Sequence, residues 1–143
     1  MSAKVLLVDD SKTALLMGET VFKQHTSCQV VTARDGQEGV QKALSEKPDL
    51  ILLDVVMPKM DGFAACQEMR KHESLKNVPI IMVTSRGEPA NVATGYSSGC
   101  NAYLTKPINA RELLEIVGVF LGLENKAPMA RGAAKGAEKT AIE

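Results

Sequence analysis

Five short runs of apolar residues, separated by stretches with helical spacing, constrain the fold of this chain more than any other feature. The runs comprise residues 5–8, 30–31, 50–53, 80–83 and 102–104. Strands that alternate with helices indicate βαβ units and a parallel sheet. The runs are continuously apolar, which is typical of strands buried on both faces. The sequence therefore predicts an α/β fold whose sheet is covered by helices on both sides.

The stretches between the runs carry the faces and the starts of helices. Three sets of apolar residues have helical spacing: Val40, Ala43 and Leu44; Phe63 and Cys66; Leu113, Val117 and Phe120. Asp35 and Asn109 are each followed by a glutamate three positions later, which resembles a capping box. Asp61 suits the N-cap of a helix, and Pro89 suits a first helical position. These features predict where the helices begin.

The connectivity of these elements limits the topology. Five βα pairs with right-handed crossovers most commonly adopt the strand order 2-1-3-4-5. We therefore predict a (βα)5 doubly wound, five-stranded parallel sheet of the three-layer, flavodoxin-like type. A chain of 143 residues accommodates one such domain, and we assign it to residues 1–123. Residues 124–143 are rich in Ala, Gly and Lys, which predicts a flexible tail or linker.

The composition argues against several functional classes. The 17 Lys and Arg residues balance 17 Asp and Glu residues, and aromatic residues make up only 3% of the chain. We therefore expect neither a basic nucleic-acid-binding face nor a stacking platform for single strands. No apolar run approaches the roughly 18 residues of a membrane helix, and the first residues do not resemble a signal peptide. Three widely spaced cysteines without a Cys-x-x-Cys motif predict free thiols and a cytoplasmic location.

Polar residues follow the apolar runs at the ends of the predicted strands. Asp9 and Asp10 follow the first run, Asp54 the third, Thr84 the fourth, and Lys106 comes shortly after the fifth. In an open α/β sheet, ligands bind outside the carboxyl ends of the strands, where the strand order reverses. That point lies between strands one and three, so we expect the three aspartates to meet there. Alone, Asp9 and Asp10 would more simply cap a helix, but joint placement at successive strand ends favours a shared site.

Three converging carboxylates repel one another unless a cation offsets their charge. Oxygen ligands favour Mg²⁺, with Mn²⁺ possible, over zinc, and the two histidines lack zinc-ligand spacing. A divalent cation, the Lys106 amine and the Thr84 hydroxyl around Asp54 would form an electrostatic cage for a phosphoryl group. Phosphoryl transfer depends mainly on such positioning and charge neutralisation. Asp54 is then the candidate nucleophile.

The combined motifs resemble the receiver domain of two-component response regulators, of the chemotaxis-regulator type. The resemblance is carried by VLLVDD (5–10), LILLDVVMPKMDG (50–62), IIMVTS (80–85) and YLTKP (103–107). It extends from residue 4 to about residue 122, and the combination is far more specific than any one motif. The resemblance implies a phosphorylation-controlled signalling switch rather than an enzyme with a substrate of its own.

The resemblance also implies roles for the acidic residues and their neighbours. Asp54 is similar to the phosphoryl acceptor of the family. A magnesium ion would be held directly by Asp10, largely through water by Asp9, and by an Asp54 oxygen and the backbone carbonyl of Val56. Val56 and Arg86 occupy the two positions where members of the family vary and which tune hydrolysis of the phosphate.

Three further residues resemble the family's switching parts. Lys106 is similar to the lysine that pairs with the phosphoryl group, and its bond to Pro107 is typically cis in the family. Thr84 resembles the switch hydroxyl. Tyr103 resembles the aromatic residue that turns inward when this hydroxyl moves, and a half-buried core tyrosine is the alternative for that position.

The expected partners also follow from the resemblance. The phosphoryl donor would be a histidine kinase or a histidine phosphotransfer domain, and a downstream protein would contact the fourth helix, fifth strand and fifth helix. We expect no DNA-binding helix-turn-helix module in the stretch after residue 123, so output would pass through protein contacts or a phosphate relay, the alternative being that this chain is the N-terminal piece of a longer protein. We expect a monomer or a phosphorylation-dependent dimer that contacts neither nucleic acid nor membrane.

Two other functional classes are alternatives to a receiver domain. A flavodoxin-like cofactor binder would need a phosphate-cradling loop of Ser, Thr or Gly after the first strand, where this chain has Asp9 and Asp10. A phosphatase with an aspartyl nucleophile usually needs a general acid two residues later, where this chain has Val56. The two aspartates disfavour the cofactor binder, and Val56 disfavours the phosphatase.

Overall fold

The computed structural model describes residues 3–85, 87, 89–107 and 109–122. Within these residues the strands are β1 (Lys4–Val8), β2 (Gln29–Ala33), β3 (Leu50–Leu53), β4 (Ile80–Thr84) and β5 (Ala102–Thr105). The helices are α1 (Lys12–His25), α2 (Gly36–Glu46), α3 (Gly62–Arg70), α4 (Pro89–Ser98) and α5 (Ala110–Leu121), with a 3₁₀ turn at Glu73–Leu75. Strands and helices alternate along the chain, as the sequence predicted.

The strands form one parallel sheet in the order β2-β1-β3-β4-β5, which confirms the predicted topology. Val8 at the end of β1 lies beside Ala33 of β2 on one side and Leu53 of β3 on the other. The chain leaves β1 toward β2 and then crosses back to β3, so the strand order reverses between β1 and β3. The switch point of the sheet is therefore at the carboxyl ends of these two strands.

Both faces of the sheet are buried under helices. Successive residues of a strand point to opposite faces, so Leu6 and Leu53 join an apolar cluster with residues of α2 and α3. Leu7 and Leu52 join a second cluster with residues of α1 and α5. Tyr96 of α4 packs against the first cluster. The predicted three-layer arrangement is thereby confirmed, and the helices hold the strand ends in fixed positions.

The predicted helix faces and most helix starts are confirmed. The residues with helical spacing all lie in or against the two clusters, namely Val40, Ala43, Leu44, Phe63, Cys66, Leu113, Val117 and Phe120. The side chains of Asp35, Asp61 and Asn109 each accept a hydrogen bond from the backbone N–H three residues later. Pro89 is the first residue of α4. Local capping chemistry therefore sets where these helices begin.

Helix α1 begins at an N-cap residue, Ser11, that the sequence analysis did not identify. The Ser11 hydroxyl accepts a hydrogen bond from the Ala14 amide at 3.2 Å. The Asp9 carboxylate accepts one from the Ser11 amide at 2.9 Å. Ser11 is therefore the N-cap residue, rather than Asp9 or Asp10 as in the alternative prediction for them. The hydrogen bond from the Ser11 amide to Asp9 stabilises the loop that precedes the helix.

Some predictions fall elsewhere in the chain. The domain boundary at residue 123, the tail at residues 124–143 and the role of Arg86 lie outside the described residues. None of the helices in the described part is both long and apolar enough to span a bilayer. Cys28, Cys66 and Cys100 are free thiols. Burial raises the pKa of Cys66 to about 11 and that of Cys100 to about 12, so both thiols stay protonated and unreactive at neutral pH.

Candidate functional site

The register of β1 and β3 places Asp9 and Asp54 side by side at the carboxyl edge of the sheet. Val8 and Leu53, the last residues of the two strands, lie opposite each other, and each is followed by an aspartate. The Asp9 amide donates to the Ala33 carbonyl at 3.1 Å, and the Asp54 amide donates to the Val8 carbonyl at 2.9 Å. Backbone pairing thus brings the two carboxylates together, whatever their mutual repulsion.

Asp9, Asp10 and Asp54 form a carboxylate cluster at this edge. One oxygen of each residue lies within 4.8 Å of those of the other two. Asp54 is buried, Asp9 is partly buried and Asp10 is exposed. The Asp54 carboxylate also accepts a hydrogen bond from the Val55 amide at 2.9 Å. The structure therefore brings together the three aspartates that the strand order assigns to the switch point.

Lys106 faces the cluster from the loop after β5. Its Nζ lies 3.2 Å from Asp9 Oδ2 and 3.8 Å from Asp54 Oδ1. Its amide donates to the Thr84 carbonyl at 2.7 Å, which attaches the loop to the end of β4. The bond to Pro107 is cis, as the family resemblance implied. Among the described residues, the Lys106 amine therefore faces two of the three carboxylates, and these four groups together carry a net negative charge.

Burial sets the ionisation of Asp54. Loss of solvent and, to a smaller extent, the charge of Asp9 raise the pKa of Asp54, whereas Lys106 and the Val55 amide lower it, and the net result is a pKa of about 6. The carboxylate is ionised at neutral pH, but its charge is poorly compensated. A hard divalent cation would supply the missing compensation. A donor set of three carboxylate oxygens fits Mg²⁺ rather than a softer metal.

Thr84 and Tyr103 are buried on neighbouring strands. Thr84 ends β4 and is fully buried, while Tyr103 in β5 is 6% exposed. The Tyr103 ring packs against α4 at Gly95, where an added Cβ would lie only 2.7 Å from the ring. The Tyr103 ring is therefore buried between β5 and α4. The sequence analysis did not identify Gly95, because its role is a contact with the Tyr103 ring on a different element of the fold.

The loop after β3 carries Val56 and Gly62. Val56, the predicted carbonyl ligand, lies two residues beyond Asp54, and 47% of it is exposed. The Gly62 amide donates to the Val55 carbonyl at 2.8 Å. A Cβ at Gly62 would overlap the Asp54 carbonyl oxygen and lie 2.8 Å from the Val55 Cα. The absence of a side chain at Gly62 therefore lets the loop close over the backbone of Asp54.

The fold and the site define an α/β protein with an acidic, cation-compatible site at the switch point of a flavodoxin-like sheet. The family model described as the response regulator receiver domain matches residues 5–118. The chain belongs to the response regulator receiver domain family, and its function is that of a receiver domain in a two-component system.

Individual relatives agree with this assignment. Protein PilH from Pseudomonas aeruginosa is 35% identical over 83% of this chain and 98% of its own length. The probable transcriptional regulator ycf27 from Guillardia theta is 40% identical over 87% of this chain but only 47% of its own length. The chain thus spans about half the length of some relatives that it matches. The structure of chemotaxis protein CheY4 from Vibrio cholerae has a TM-score of 0.80 and 34% identity, covering 84% of this chain and 99% of CheY4.

Proposed function

We propose that Asp54 accepts a phosphoryl group from a histidine kinase or a histidine phosphotransfer domain, and that phosphorylation changes the contacts of this chain with a downstream protein. One observation carries the proposal: the buried Asp54 carboxylate lies among two other carboxylates, with the Lys106 amine 3.8 Å away. This arrangement combines a positioned nucleophile with charge compensation for a phosphoryl group. In this proposal the chain is a cytoplasmic signalling component and has no substrate that it turns over.

The residues of the cluster have distinct tasks in the proposal. Asp10, Asp9, one oxygen of Asp54 and the Val56 carbonyl would hold Mg²⁺, with Mn²⁺ as a substitute. When bound, the ion neutralises carboxylate charge and compensates charge on the phosphoryl oxygens. Lys106 pairs with phosphoryl oxygens in place of the carboxylate contacts that it makes in the structure.

The output is proposed to pass through one face of the molecule. Thr84 donates its hydroxyl to the phosphoryl oxygens, and the face formed by α4, β5 and α5 contacts the downstream protein. Neither nucleic acid nor membrane is a partner of this receiver domain. The domain works as a monomer or as a dimer that forms on phosphorylation, and residues 124–143 act as a tail or linker.

Labelling by acetyl phosphate tests the acceptor. We expect one phosphoryl group on wild type in Mg²⁺, detected by intact-mass measurement and located on Asp54 by peptide mapping. Asp54→Asn and wild type in EDTA should lose essentially all labelling. Asp61→Asn is the matched control, because Asp61 caps α3 on the same loop and asparagine caps equally well. Full labelling of the Asp54→Asn protein would contradict the proposal.

Removal of Lys106 separates metal binding from the phosphate response. We expect Lys106→Ala to bind Mg²⁺ as well as wild type or better, because a positive charge 3.2 Å from Asp9 is removed. The same variant should lose most of its spectral response to a phosphoryl mimic. Magnesium titration and beryllofluoride titration, each followed by NMR, measure the two properties. If Lys106→Ala abolished Mg²⁺ binding, the assignment of the lysine to the phosphoryl side would be wrong.

A further inference from the structure

Glu115 is a buried acidic residue on the side of α5 that faces away from the sheet. The apolar residues of α5 that belong to or pack against the cluster on the sheet are Leu113, Ile116, Val117 and Phe120. At about 100° per residue, Glu115 lies about 160° around the helix axis from both Leu113 and Val117. Glu115 is nevertheless only 6% exposed. The sheet lies on the opposite side of α5, so it does not account for this burial.

The helical neighbours of Glu115 on this side are exposed. Residues three and four positions apart are neighbours on a helix surface, and these are Arg111, Glu112 and Val119. Val119 is a large apolar residue and is 45% exposed. We call Arg111, Glu112, Glu115 and Val119 the outer face of α5. A glutamate at the centre of an exposed helix face is ordinarily in water, so the burial of Glu115 indicates that something covers this face.

The Glu115 carboxylate also lacks a partner in the part of the chain that the structure describes. Its Oε2 atom is shielded from water and accepts no hydrogen bond from any described residue. Burial of a charged group is costly unless the group is paired, and buried acidic residues are therefore usually paired. The outer face thus requires a cationic partner that comes from outside the described residues.

We propose that residues 123–131 of this chain dock on the outer face of α5, and that the Lys126 amine pairs with the Glu115 carboxylate. The inference goes beyond the proposed function and does not depend on phosphorylation of Asp54. It anchors the start of the predicted tail and leaves residues 132–143 as a tail or linker. Because α5 also belongs to the face proposed for output, the docked segment shares this helix with that face.

The end of α5 places Lys126 within reach of Glu115. Gly122 ends the helix in the left-handed conformation, with φ 68° and ψ 26°, so the chain turns out of the helix at this residue. Glu115 lies seven positions before Gly122, which is about 10 Å along the helix. The four residues from Gly122 to Lys126 span about 13 Å when extended. Lys126 is also the first cationic residue after α5.

The chemistry of the segment complements that of the outer face. Residues 125–137 contain three basic residues and no acidic one, whereas Glu112 and Glu115 are both carboxylates. Leu123 follows the helix directly and offers an apolar side chain to the exposed Val119, which removes apolar surface from water. A segment tethered beside the face also has a high effective concentration there. These properties favour the chain's own segment over a second copy of the protein.

NMR relaxation of the full chain tests the docking. Lys126→Glu sets a negative charge against Glu115, and Lys139→Glu is the matched control, because it changes the net charge equally but lies outside the docked segment. In wild type and in the control, we expect backbone order parameters of residues 124–127 near the value of about 0.85 found in rigid backbone. In Lys126→Glu they should fall below about 0.6. The amide signals of residues 112–116, ten or more positions from residue 126, should shift in Lys126→Glu alone.

Exchange of the two charges tests the pair itself. Glu115→Lys should release the segment as Lys126→Glu does, and the two substitutions together should restore the order parameters. Because Lys126 follows the last helix, Lys126→Glu leaves the folded domain intact and remains informative even if Glu115→Lys does not fold. Order parameters below about 0.6 in wild type, or equal values in wild type and Lys126→Glu, would overturn the inference.

Dilution distinguishes the segment from a second copy of the chain. We expect the amide signals of residues 112–116 to be identical at two protein concentrations that differ tenfold, because the docking occurs within one chain. Signals that change with concentration would assign the outer face to a second copy and would overturn the inference. None of these outcomes bears on phosphate transfer to Asp54, so the proposed function is tested separately.

Discussion

Asp54 occupies a position that penalises the charge its proposed chemistry needs. Burial and the neighbouring Asp9 carboxylate raise the pKa of Asp54 to about 6, above the 3.8 of an unperturbed aspartate. The folded state therefore holds a proton on Asp54 more tightly than the unfolded state does. Between about pH 4 and pH 6, the contribution of Asp54 to stability falls as pH rises, because its ionisation costs more in the folded protein. Above about pH 6, the full free-energy cost of ionising Asp54 in the folded protein is present.

Replacing Asp54 with asparagine should remove this cost. In EDTA at pH 7.5 we expect Asp54→Asn to be more stable than wild type by about 1–3 kcal/mol. At pH 4 the two proteins should be nearly equal, because wild-type Asp54 is then protonated. Urea unfolding at both pH values measures the difference. A gain of the same size at pH 4 would show that the charge of Asp54 is not its cause.

At the scale of elements, Arg70 joins the end of α3 to the loops that precede β4 and β5. Its guanidinium donates to the carbonyls of Leu75 and Val78 at 2.6 and 2.8 Å, and to the Gly99 carbonyl at 2.8 and 3.0 Å. It also donates to the Asn101 side chain, whose oxygen accepts a second hydrogen bond from the amide of Ile80, the first residue of β4. These contacts lie at the edge of the sheet opposite the carboxylate cluster. They fix where β4 and β5 begin.

Loss of Arg70 should destabilise the fold without altering the site. Arg70→Met leaves several carbonyls without their charged donor, so we expect the free energy of unfolding to fall by about 2–4 kcal/mol. The neighbouring Lys71→Met is the control, because the Lys71 side chain is 70% exposed and its ion pair with Glu68 should contribute less than about 1 kcal/mol. Labelling by acetyl phosphate at a temperature where Arg70→Met is folded should be unchanged. A loss of labelling at that temperature would contradict the claim that the Arg70 contacts stabilise the fold without affecting the carboxylate cluster.

The contrast between these elements explains what the sequence could predict. Strands, helix faces and caps depend on local patterns, and the positions of Asp9 and Asp54 follow from strand order alone. The role of Arg70 depends on backbone carbonyls, which every residue has and no pattern marks. The buried position of the Tyr103 ring depends on the absence of a side chain at Gly95, which lies on a helix packed over β5. Contacts of this kind exist only once the elements have packed.

At the scale of the whole molecule, the sheet links the carboxylate cluster to the face proposed for output. Thr84 at the end of β4 pairs with Thr105 of β5, and Tyr103 lies two residues earlier on the same strand, opposite Met82. The Thr84 carbonyl also accepts the Lys106 amide. A force on the Thr84 hydroxyl therefore acts on the two strands that border α4. A ligand shifts such an equilibrium only by its differential affinity for the two states.

The switch should therefore depend on both Thr84 and Gly95. With Mg²⁺ and beryllofluoride, a phosphoryl mimic, we expect backbone NMR shifts from Thr84 through α4 to Tyr103 and α5. Thr84→Ala should shrink the distant shifts while those beside Asp54 persist, because the mimic still binds. Gly95→Ala should displace the Tyr103 ring even without the mimic, since the new Cβ would lie 2.7 Å from it, and the ring signals of Tyr103 report this directly. Distant shifts that persist unchanged in Thr84→Ala would show that the signal does not pass through this hydroxyl. An unmoved Tyr103 ring in Gly95→Ala would show that α4 moves instead to accommodate the new Cβ.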